Sequence, residues 1–273
     1  MKLALATLLI FVAAPLGAAY ASRDVVLPVA GRATGADGRL FLTALWITNP
    51  SERDALDLQL IFHPAEEKVP THVSTLRLQP AETRVVDPID VNILGVPEAL
   101  GSLRIKATGD VLATTRVYSR GLATSFNATP VQFAIGNNES ATLQGVSPAD
   151  GRYKIYFAEV EGTALDVNVS LIDARGVTMA MKRLYIDRDR QLTFDVADLF
   201  PQFASGTATL RVEGVHGNGR VVVAGSHIAR ESQDSTPFEM SFTTTPRDRL
   251  GVLEALTYIA VAAAAGAALF LRR

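Results

Sequence analysis

The chain has 273 residues, a length that suits one large domain or two domains of ordinary size. Its 26 lysines and arginines nearly balance its 28 aspartates and glutamates, which argues against a basic nucleic-acid-binding surface and against an acidic disordered chain. Hydrophobic residues make up 48% of the chain and cysteine is absent. The chain can therefore build cores, whereas disulfides, thiol nucleophiles, cysteine metal sites and a lipoprotein anchor are excluded.

The N-terminus has the pattern of a secretory signal peptide. Lys2 supplies a positive charge, an apolar run follows over residues 3–16, and Ala19-Tyr20-Ala21 is a small-x-small cleavage site. We therefore expect residues 1–21 to be a signal peptide and the mature chain to begin at Ser22. A buried N-terminal helix is the alternative interpretation.

A second apolar segment, near the C-terminus, predicts one transmembrane helix over residues 250–271. Its alanine-rich part, residues 255–271, would reach about 25 Å as a helix, close to the ~30 Å hydrocarbon core of a bilayer. Arg272 and Arg273 follow it and fit the positive-inside rule. The pattern predicts a single-pass membrane protein with its N-terminus outside, residues 272–273 cytoplasmic, and an ectodomain in the periplasm or at the cell surface. An apolar helix packed on the body is the alternative.

Residues 22–249, between these segments, have the character of an all-β protein. Short runs alternate between apolar and polar residues and are separated by Gly, Pro, Asn or Asp. In residues 56–62, Leu56, Leu58, Leu60 and Phe62 share one face of a predicted strand. Such a strand has one face on a core and the other towards solvent.

The same strand pattern returns 109 residues later, where residues 164–169 match residues 55–60 apolar for apolar and polar for polar. Further pairs of segments follow in the same order: 76–78 with 184–186, 87–91 with 195–199, 103–105 with 210–212, and Arg120 with Arg230. A match over five segments in the same order predicts an internal repeat. We expect two β-sandwich repeats, residues 22–136 and 141–245, with a stalk at residues 246–249 before the membrane helix.

The length and alternation of each repeat suit an immunoglobulin-like β-sandwich. In the first repeat we expect strands at residues 24–30, 39–48, 55–63, 72–79, 82–87, 101–108, 111–120 and 124–135. In the second we expect them at residues 141–146, 152–160, 164–173, 178–187, 190–195, 207–213, 219–230 and 236–244. The Cys pair and core Trp that mark antibody domains are missing. The chain has no cysteine, and its only tryptophan, Trp46, has no counterpart in the second copy.

Two stretches resemble the tandem β-sandwich repeat proteins that bacteria export. The first is the opening strand Leu27-Pro28-Val29-Ala30-Gly31, and the second is the strand that ends in the Asn49-Pro50 turn. Residues 141–145 and 169–176 resemble the same pattern in the second copy, where residues 159–162 replace the Asn-Pro turn. The resemblance implies tandem immunoglobulin-like domains, an extracytoplasmic setting and a C-terminal membrane anchor. It implies no activity.

The residues predict no catalytic, cofactor-binding or metal site. His63 and His72 flank a loop that contains Glu66 and Glu67, so a metal site across this hairpin is one hypothesis, and two solvated loop histidines are the other. No nucleophile elbow, P-loop or dinucleotide-binding pattern occurs in the sequence. The glycine-rich residues 214–219 predict a hairpin turn instead.

One acidic pattern is shared by the two copies: Asp87 and Asp90 match Asp195 and Asp198. As calcium ligands, two carboxylates are too few, since calcium takes six to eight oxygens. We instead expect Asp87 and Asp195 to cap a single helical turn that crosses between the sheets, with Pro88 at its first position in copy one.

A charged turn near the middle of the second repeat alternates Arg183, Arg188 and Arg190 with Asp187 and Asp189. It is either a patch for an acidic ligand or a solvated turn of mixed charge. We favour the solvated turn because the opposite charges cancel locally.

These observations predict a non-enzymatic protein for binding, adhesion or scaffolding, which takes a protein or glycan ligand through loops or sheet edges and no nucleic acid. One alternative is an exported β-sandwich hydrolase or metal-dependent enzyme, which needs histidines and carboxylates to converge in one cleft. A second alternative is an envelope assembly factor that works by strand addition, which needs an exposed apolar edge strand.

Overall fold

A computed structural model describes residues 20–35 and 38–242 of the chain. The predicted signal peptide apart from its last two residues, the end of the second repeat, the stalk and the predicted membrane helix all lie outside these residues. Within the two described ranges, no helix is long and apolar enough to cross a membrane. The described chain is all-β, with two helices of a single turn and one short 3₁₀ helix.

The elements of the first half are β1 (Ser22–Thr34), β2 (Leu40–Thr48), β3 (Leu56–Pro64), β4 (His72–Leu78), β5 (Thr83–Val86), α1 (Val91–Leu94), β6 (Ala99–Ser119), β7 (Leu122–Asn127), β8 (Thr129–Pro130) and a 3₁₀ helix (Val131–Phe133). Those of the second half are β9 (Ser140–Val146), β10 (Gly151–Glu159), β11 (Leu165–Asp173), β12 (Thr178–Ile186), β13 (Gln191–Asp195), α2 (Val196–Leu199), β14 (Ala208–Gly217), β15 (Val221–Ala229) and β16 (Ser235–Glu239).

Each half contains two antiparallel layers with the same strand order. The second half has the sheets β12-β11-β14-β9 and β13-β10-β15-β16. In the first half, β4-β3-β6-β1 and β5-β2-β6-β7 repeat that order, because the beginning of β6 pairs with β1 and β3 while its end pairs with β2 and β7. The two parts of β6 thus correspond to β14 and β15, and the internal repeat is visible in the strand pairing.

Three predictions about strands and turns were wrong. Residues 101–108 and 111–120 form the single strand β6, because the chain turns back near residues 108–111 from one sheet into the other and its two parts pair with different strands. For the same reason, the glycine-rich residues 214–219 do not close a hairpin, since β14 and β15 lie in different sheets. Residues 124–135 are also not one strand, but β7, β8 and the 3₁₀ helix.

The strand order differs from that of an immunoglobulin domain. There, the first strand shares a sheet with the second, and the seventh shares a sheet with the sixth. Here β9 pairs with β14 and β15 pairs with β10, so the first and seventh strands have exchanged places. The exchange follows from the sheet crossing, because β15 leaves the sheet of β14 and frees the position beside it. Alternation predicts which face of a strand is buried, but it does not predict the neighbouring strands.

Two cores lie between the layers, one in each half. The predicted face of β3 is buried, with Leu56, Leu58, Leu60 and Phe62 all at most 3% exposed, and it packs against Leu45 and Ile47 of β2. In the second core, Val167 and Val169 of β11 face Ile155 and Phe157 of β10. Each fully buried side chain of this size contributes about 1.5–3 kcal/mol, so these two faces provide much of the stabilising energy.

A buried polar residue ends β2 in the first half. Asn49 is fully buried, and its amide donates hydrogen bonds to the carbonyl oxygens of Asp54 (2.8 Å) and Gln79 (2.9 Å). Its Oδ1 accepts from the backbone N–H of Ser51 at 2.9 Å. This one side chain therefore joins the β2–β3 connection to the β4–β5 turn.

Glu159 ends β10 and has the same role in the second half. The side chain is 1% exposed and accepts backbone N–H groups from Glu161 (2.7 Å), Gly162 (2.9 Å) and Asp189 (2.9 Å). Glu161 and Gly162 belong to the β10–β11 connection, and Asp189 belongs to the β12–β13 turn. The two copies thus use different side chains, Asn49 and Glu159, to join the same two connections by hydrogen bonds.

Both single-turn helices have an aspartate cap. Asp195 Oδ1 accepts from the N–H of Ala197 at 3.1 Å, as predicted. In the first half the cap is Asp90, which accepts from Asn92 N–H at 3.0 Å, and not Asp87. The difference arises because three additional residues, 87–89, follow β5, and the last of them, Ile89, is buried in the core. Pro88 consequently precedes the helix and does not begin it.

We predict that Asp90→Ala and Asp195→Ala each lower the free energy of unfolding by about 0.5–2 kcal/mol, because each leaves a helix N–H without a partner. Urea denaturation with and without calcium measures this. Asp110→Ala, at an exposed position, is the matched control and should change stability by less than about 0.5 kcal/mol. Calcium-dependent stabilisation of the parent chain that disappears in the cap variants would instead establish a metal site.

We also predict that Glu159→Ala lowers the free energy of unfolding by about 3 kcal/mol or more, because it leaves four partly buried N–H groups, those of Glu161, Gly162, Asp189 and Arg220, without an acceptor. Glu161→Ala, two residues away and exposed, should cost less than about 0.5 kcal/mol. Equal losses in the two variants would contradict the role of the buried carboxylate.

Candidate functional site

The two halves contact each other along the side of the first half where β1 and β7 lie. The outer face of β10 and β15 covers this side, with β1 against both strands and β7 against β16. One apolar patch of this contact consists of buried residues from both halves: Val26, Val131, Ala134, Ala158, Val160 and Val222. The free edges of two sheets are thereby protected from solvent.

A second apolar patch lies beside the first. Phe126 of β7 and Tyr156 of β10 meet edge to face with ring centroids 5.6 Å apart, and Val29 and Ala224 pack around them. The Tyr156 hydroxyl satisfies its polar end with Ser226 at 3.1 Å. Burial raises the pKa of Tyr156, so this hydroxyl remains neutral at physiological pH.

Three arginines join the halves through backbone carbonyls: Arg104, Arg190, and Arg220, which donates to the carbonyl oxygen of Ala134. Arg104 of β6 forms a two-point ion pair with Asp24 (2.8 and 2.6 Å) and also donates to the carbonyl oxygen of Val160. Arg190 of the second half donates to the carbonyl oxygens of Glu66 (2.9 Å) and Glu67 (3.0 Å) in the β3–β4 loop.

The solvated-turn interpretation is therefore wrong for Arg190, because carbonyl oxygens of the first half accept hydrogen bonds from its guanidinium. Arg183 lies on the exposed face of β12 and pairs with Asp166 at 2.7 Å. Of this arginine group, the structure brings only Arg190 to the junction of the halves.

The structure does not bring His63 and His72 together. His72 pairs with Phe62 in the β3–β4 ladder and lies within 3.0 Å of the Asn92 carbonyl oxygen. His63, the next residue along β3, faces the second half, is 6% exposed and has its Nδ1 3.8 Å from Asp189 Oδ1. In the described part of the chain, no group of three acidic or histidine side chains is arranged to hold a metal ion.

Burial at this junction lowers the pKa of His63 below its ordinary value. The nearby carboxylate of Asp189 acts in the opposite direction, while the charges of Arg104 and Lys106 add to the lowering. His63 is therefore a neutral side chain of the inter-half contact at neutral pH.

A surface groove of about 520 Å³ opens on the outer face of β2, β6 and β7, within the usual range for ligand sites. Its chemically distinctive lining residues are Ala44, Trp46, Asp87, Arg116, Tyr118 and Asp234. We call it the Trp46 groove. Asp234 belongs to the β15–β16 turn of the second half, so both halves contribute to it.

Strand pairing explains why these side chains converge. Ala44 lies opposite Arg116, and Leu42 lies opposite Tyr118, in the β2–β6 ladder. Leu45 and Ile47 face the core, so the alternation of β2 turns Ala44 and Trp46 outwards. Ala44 is only 1% exposed because the larger side chains rise around it, and it forms the floor of the groove.

The polar groups of the Trp46 groove differ in their pairing. The Tyr118 hydroxyl donates to Asp87 Oδ1 at 2.5 Å, and this hydrogen bond, with a smaller contribution from burial, raises the pKa of Tyr118. Among the described residues, the guanidinium of Arg116 and the carboxylate of Asp234 make no hydrogen bond or ion pair with any side chain. A donor and an acceptor thus remain available beside an indole and a fixed phenol.

A second groove of similar volume lies on the outer face of β3, β4 and β6. Its charged pair, Arg77 and Asp57, is already joined at 2.6 Å, and no aromatic side chain lines it. It also belongs to one half alone, so the Trp46 groove is the stronger candidate.

An exposed edge strand is a separate feature. β12 is the last strand of its sheet, and its outer face presents Met179, Met181 and Tyr185, which are 44%, 61% and 62% exposed. Lys182 and Arg183 interrupt this strand with positive charge. Charged residues of this kind oppose the pairing of two copies of an edge.

Both ends of the described chain meet at one place. Phe133 lies 5.4 Å from the ring of Tyr20 and 6.2 Å from the ring of Phe242, by centroid distance. From Asp234, in the groove, to Phe242 the chain runs nearly extended through β16, a length of about 25 Å at about 3.3 Å per residue. The Asp234 side of the Trp46 groove is therefore up to about 25 Å of chain away from Phe242.

Sequence reasoning missed this site. The outward alternation of Trp46 was readable from the sequence, because Leu45 and Ile47 on either side of it are apolar. The positions of Arg116 and Tyr118 opposite β2 depend on the strand order, and Asp234 depends on how the halves pack.

No protein-family model matches the chain, and no curated protein matches it. Among solved structures, the chain is similar to the crystal structure of a "putative secreted protein" from Parabacteroides distasonis ATCC 8503, at 12% sequence identity. The match covers 80% of each chain with a TM-score of 0.20.

We predict that acid destabilises the protein partly through His63. An unfolded histidine has a pKa of about 6.5, whereas burial lowers that of His63, so below pH ~6.5 the unfolded state binds more protons and stability falls. The free energy of unfolding of His63→Gln should fall less between pH 8 and pH 5 than that of the parent chain. His216→Gln, at an exposed site, should follow the parent, and an identical loss in His63→Gln would contradict this account.

Proposed function

We propose that the chain is an exported, membrane-anchored, non-enzymatic protein in which two tandem β-sandwich domains, related to the immunoglobulin-like type, present a binding site away from the membrane. Its N-terminus would be outside and its C-terminus cytoplasmic. The single observation that carries the proposal is the Trp46 groove, to which both halves contribute side chains.

The contact between the halves supports a rigid body. Domains that share a large apolar contact do not move independently, whereas small polar contacts permit motion. Here two buried apolar patches are combined with the carbonyl bonds of Arg104 and Arg190. A rigid body of this kind holds Asp234 in place beside Trp46 and Arg116.

The placement of the chain ends supports the membrane-distal orientation. The predicted mature N-terminus, Ser22, is also the first residue of β1, so the fold begins where the signal peptide is expected to end. Phe242 begins the approach to the predicted stalk. With a tail that enters the membrane there, the Asp234 side of the Trp46 groove would lie up to about 25 Å of chain from Phe242.

Strand addition is a second candidate function, and the exposed β12 edge favours it. An extended segment of a partner would pair its backbone with β12 and place alternate apolar side chains on Met181 and Tyr185. The two candidates use different surfaces with no residue in common, so one set of variants separates them.

We predict that the full-length chain, in vesicles of neutral lipid, cosediments with envelope material of the cells that express it, and that Trp46→Ala or Arg116→Ala lowers this binding at least tenfold. Tyr185→Ala removes an aromatic ring that is 62% exposed, more than Trp46, from β12 and should bind like the parent chain. Loss of binding in Tyr185→Ala with retention in Trp46→Ala would favour strand addition. Chemical turnover of the bound material by the parent chain would contradict the non-enzymatic proposal.

A further inference from the structure

We infer that the Trp46 groove takes an uncharged carbohydrate, an inference that deepens the proposed function and rests on it. The inference stands on the combination of groups in the groove: two aromatic rings, an unpaired guanidinium and an unpaired carboxylate. Each group matches a different part of a sugar ring.

The aromatic rings match the apolar faces of a sugar. Trp46 and Tyr118 both lie on the outer face of the β2–β6 ladder, and both are partly exposed. Flat rings supply a large contact area with few rotatable bonds, and the indole and phenol each keep a polar end. The hydrogen bond from Tyr118 to Asp87 fixes one ring before a ligand arrives.

The unpaired polar groups match the hydroxyls at the rim of a sugar. Arg116 offers only donors and Asp234 offers only acceptors, while a hydroxyl can serve as either. The small side chain of Ala44 leaves the floor low between them, and Gly121 and Ala123 keep the β6–β7 side low. Donors and acceptors thus surround a shallow space that has an aromatic wall.

Other ligand classes fit this groove less well. An anionic ligand would meet two carboxylates, Asp87 and Asp234, against the single charge of Arg116. An apolar chain would remove these charges from water without giving them partners, which is costly. An extended peptide needs a free strand edge for backbone pairing, but the groove lies on the face of β2 and β6, whose backbone groups already pair with each other.

The single tryptophan of the chain makes the test direct, because the intrinsic indole fluorescence reports on Trp46 alone. The full-length chain in neutral detergent is titrated with neutral oligosaccharides of glucose, mannose, galactose and N-acetylglucosamine, and with oligogalacturonate and a mixed-charge peptide for comparison. We expect a saturable fluorescence change with at least one neutral oligosaccharide and none with the other two ligand classes.

Variants locate the site. Arg116→Ala and Asp234→Ala should each weaken the binding about tenfold, equivalent to about 1.4 kcal/mol. Arg77→Ala, in the second groove, should leave it unchanged. Calorimetry with Trp46→Phe, which retains a ring, should show weakened but measurable binding.

Three outcomes overturn the inference: no saturable change with any neutral oligosaccharide, tighter binding of oligogalacturonate or the peptide, or neutral-sugar binding that Arg116→Ala and Asp234→Ala leave intact. The first of these, combined with envelope binding that still depends on Trp46, rejects the carbohydrate class and retains the proposed function. Envelope binding that Trp46→Ala leaves unchanged rejects the proposed function itself.

Discussion

The packing of the second half against the open side of the first is the constraint on which the Trp46 groove depends. Val26 and Val131 on one side and Val160 and Val222 on the other exclude water from this contact. Since Asp234 lies in a turn of the second half, its place beside β2 and β6 follows from that packing and from nothing within the first half. The contact also covers the edges of β1 and β7, so one set of apolar side chains protects the sheets and completes the groove.

The repeat and the buried faces of the strands were predictable because both depend on local order along the chain. The face of β3 that carries Leu58 and Leu60 is buried as the alternation predicted. The neighbours of each strand were not predictable, because the crossing of β6 between sheets exchanges the places of the first and seventh strands without changing any alternation. The position of the aspartate cap moved from Asp87 to Asp90 for a comparable reason, since three additional residues alter spacing but not pattern.

Residues at the junction of the halves were also not predictable, because their contacts depend on how the two halves pack. The sequence indicates a turn position for Arg190, because Asp189 and Gln191 beside it are polar, and a loop position for His63, because a loop with Glu66 and Glu67 follows it. Their partners, the β3–β4 loop carbonyls and Asp189, lie more than a hundred residues away. The Asn49-Pro50 turn has no sequence counterpart in the second half, because Glu159 makes the equivalent hydrogen bonds there with a different side chain. The two halves therefore share this structural connection although their sequences differ at it.

The meeting of Tyr20, Phe133 and Phe242 has a mechanical consequence. If a ligand held in the Trp46 groove pulls against a tail fixed beyond Phe242, the force runs lengthwise along β16 and across its side-chain contact with β7, where Asn127 bonds to Glu239 at 2.9 Å. Tension parallel to a strand loads all the hydrogen bonds of the β15–β16 ladder at once, whereas perpendicular tension would open them one by one. If the proposed ligand site and anchor both exist, the β15–β16 ladder would resist stretching along the direction of β16.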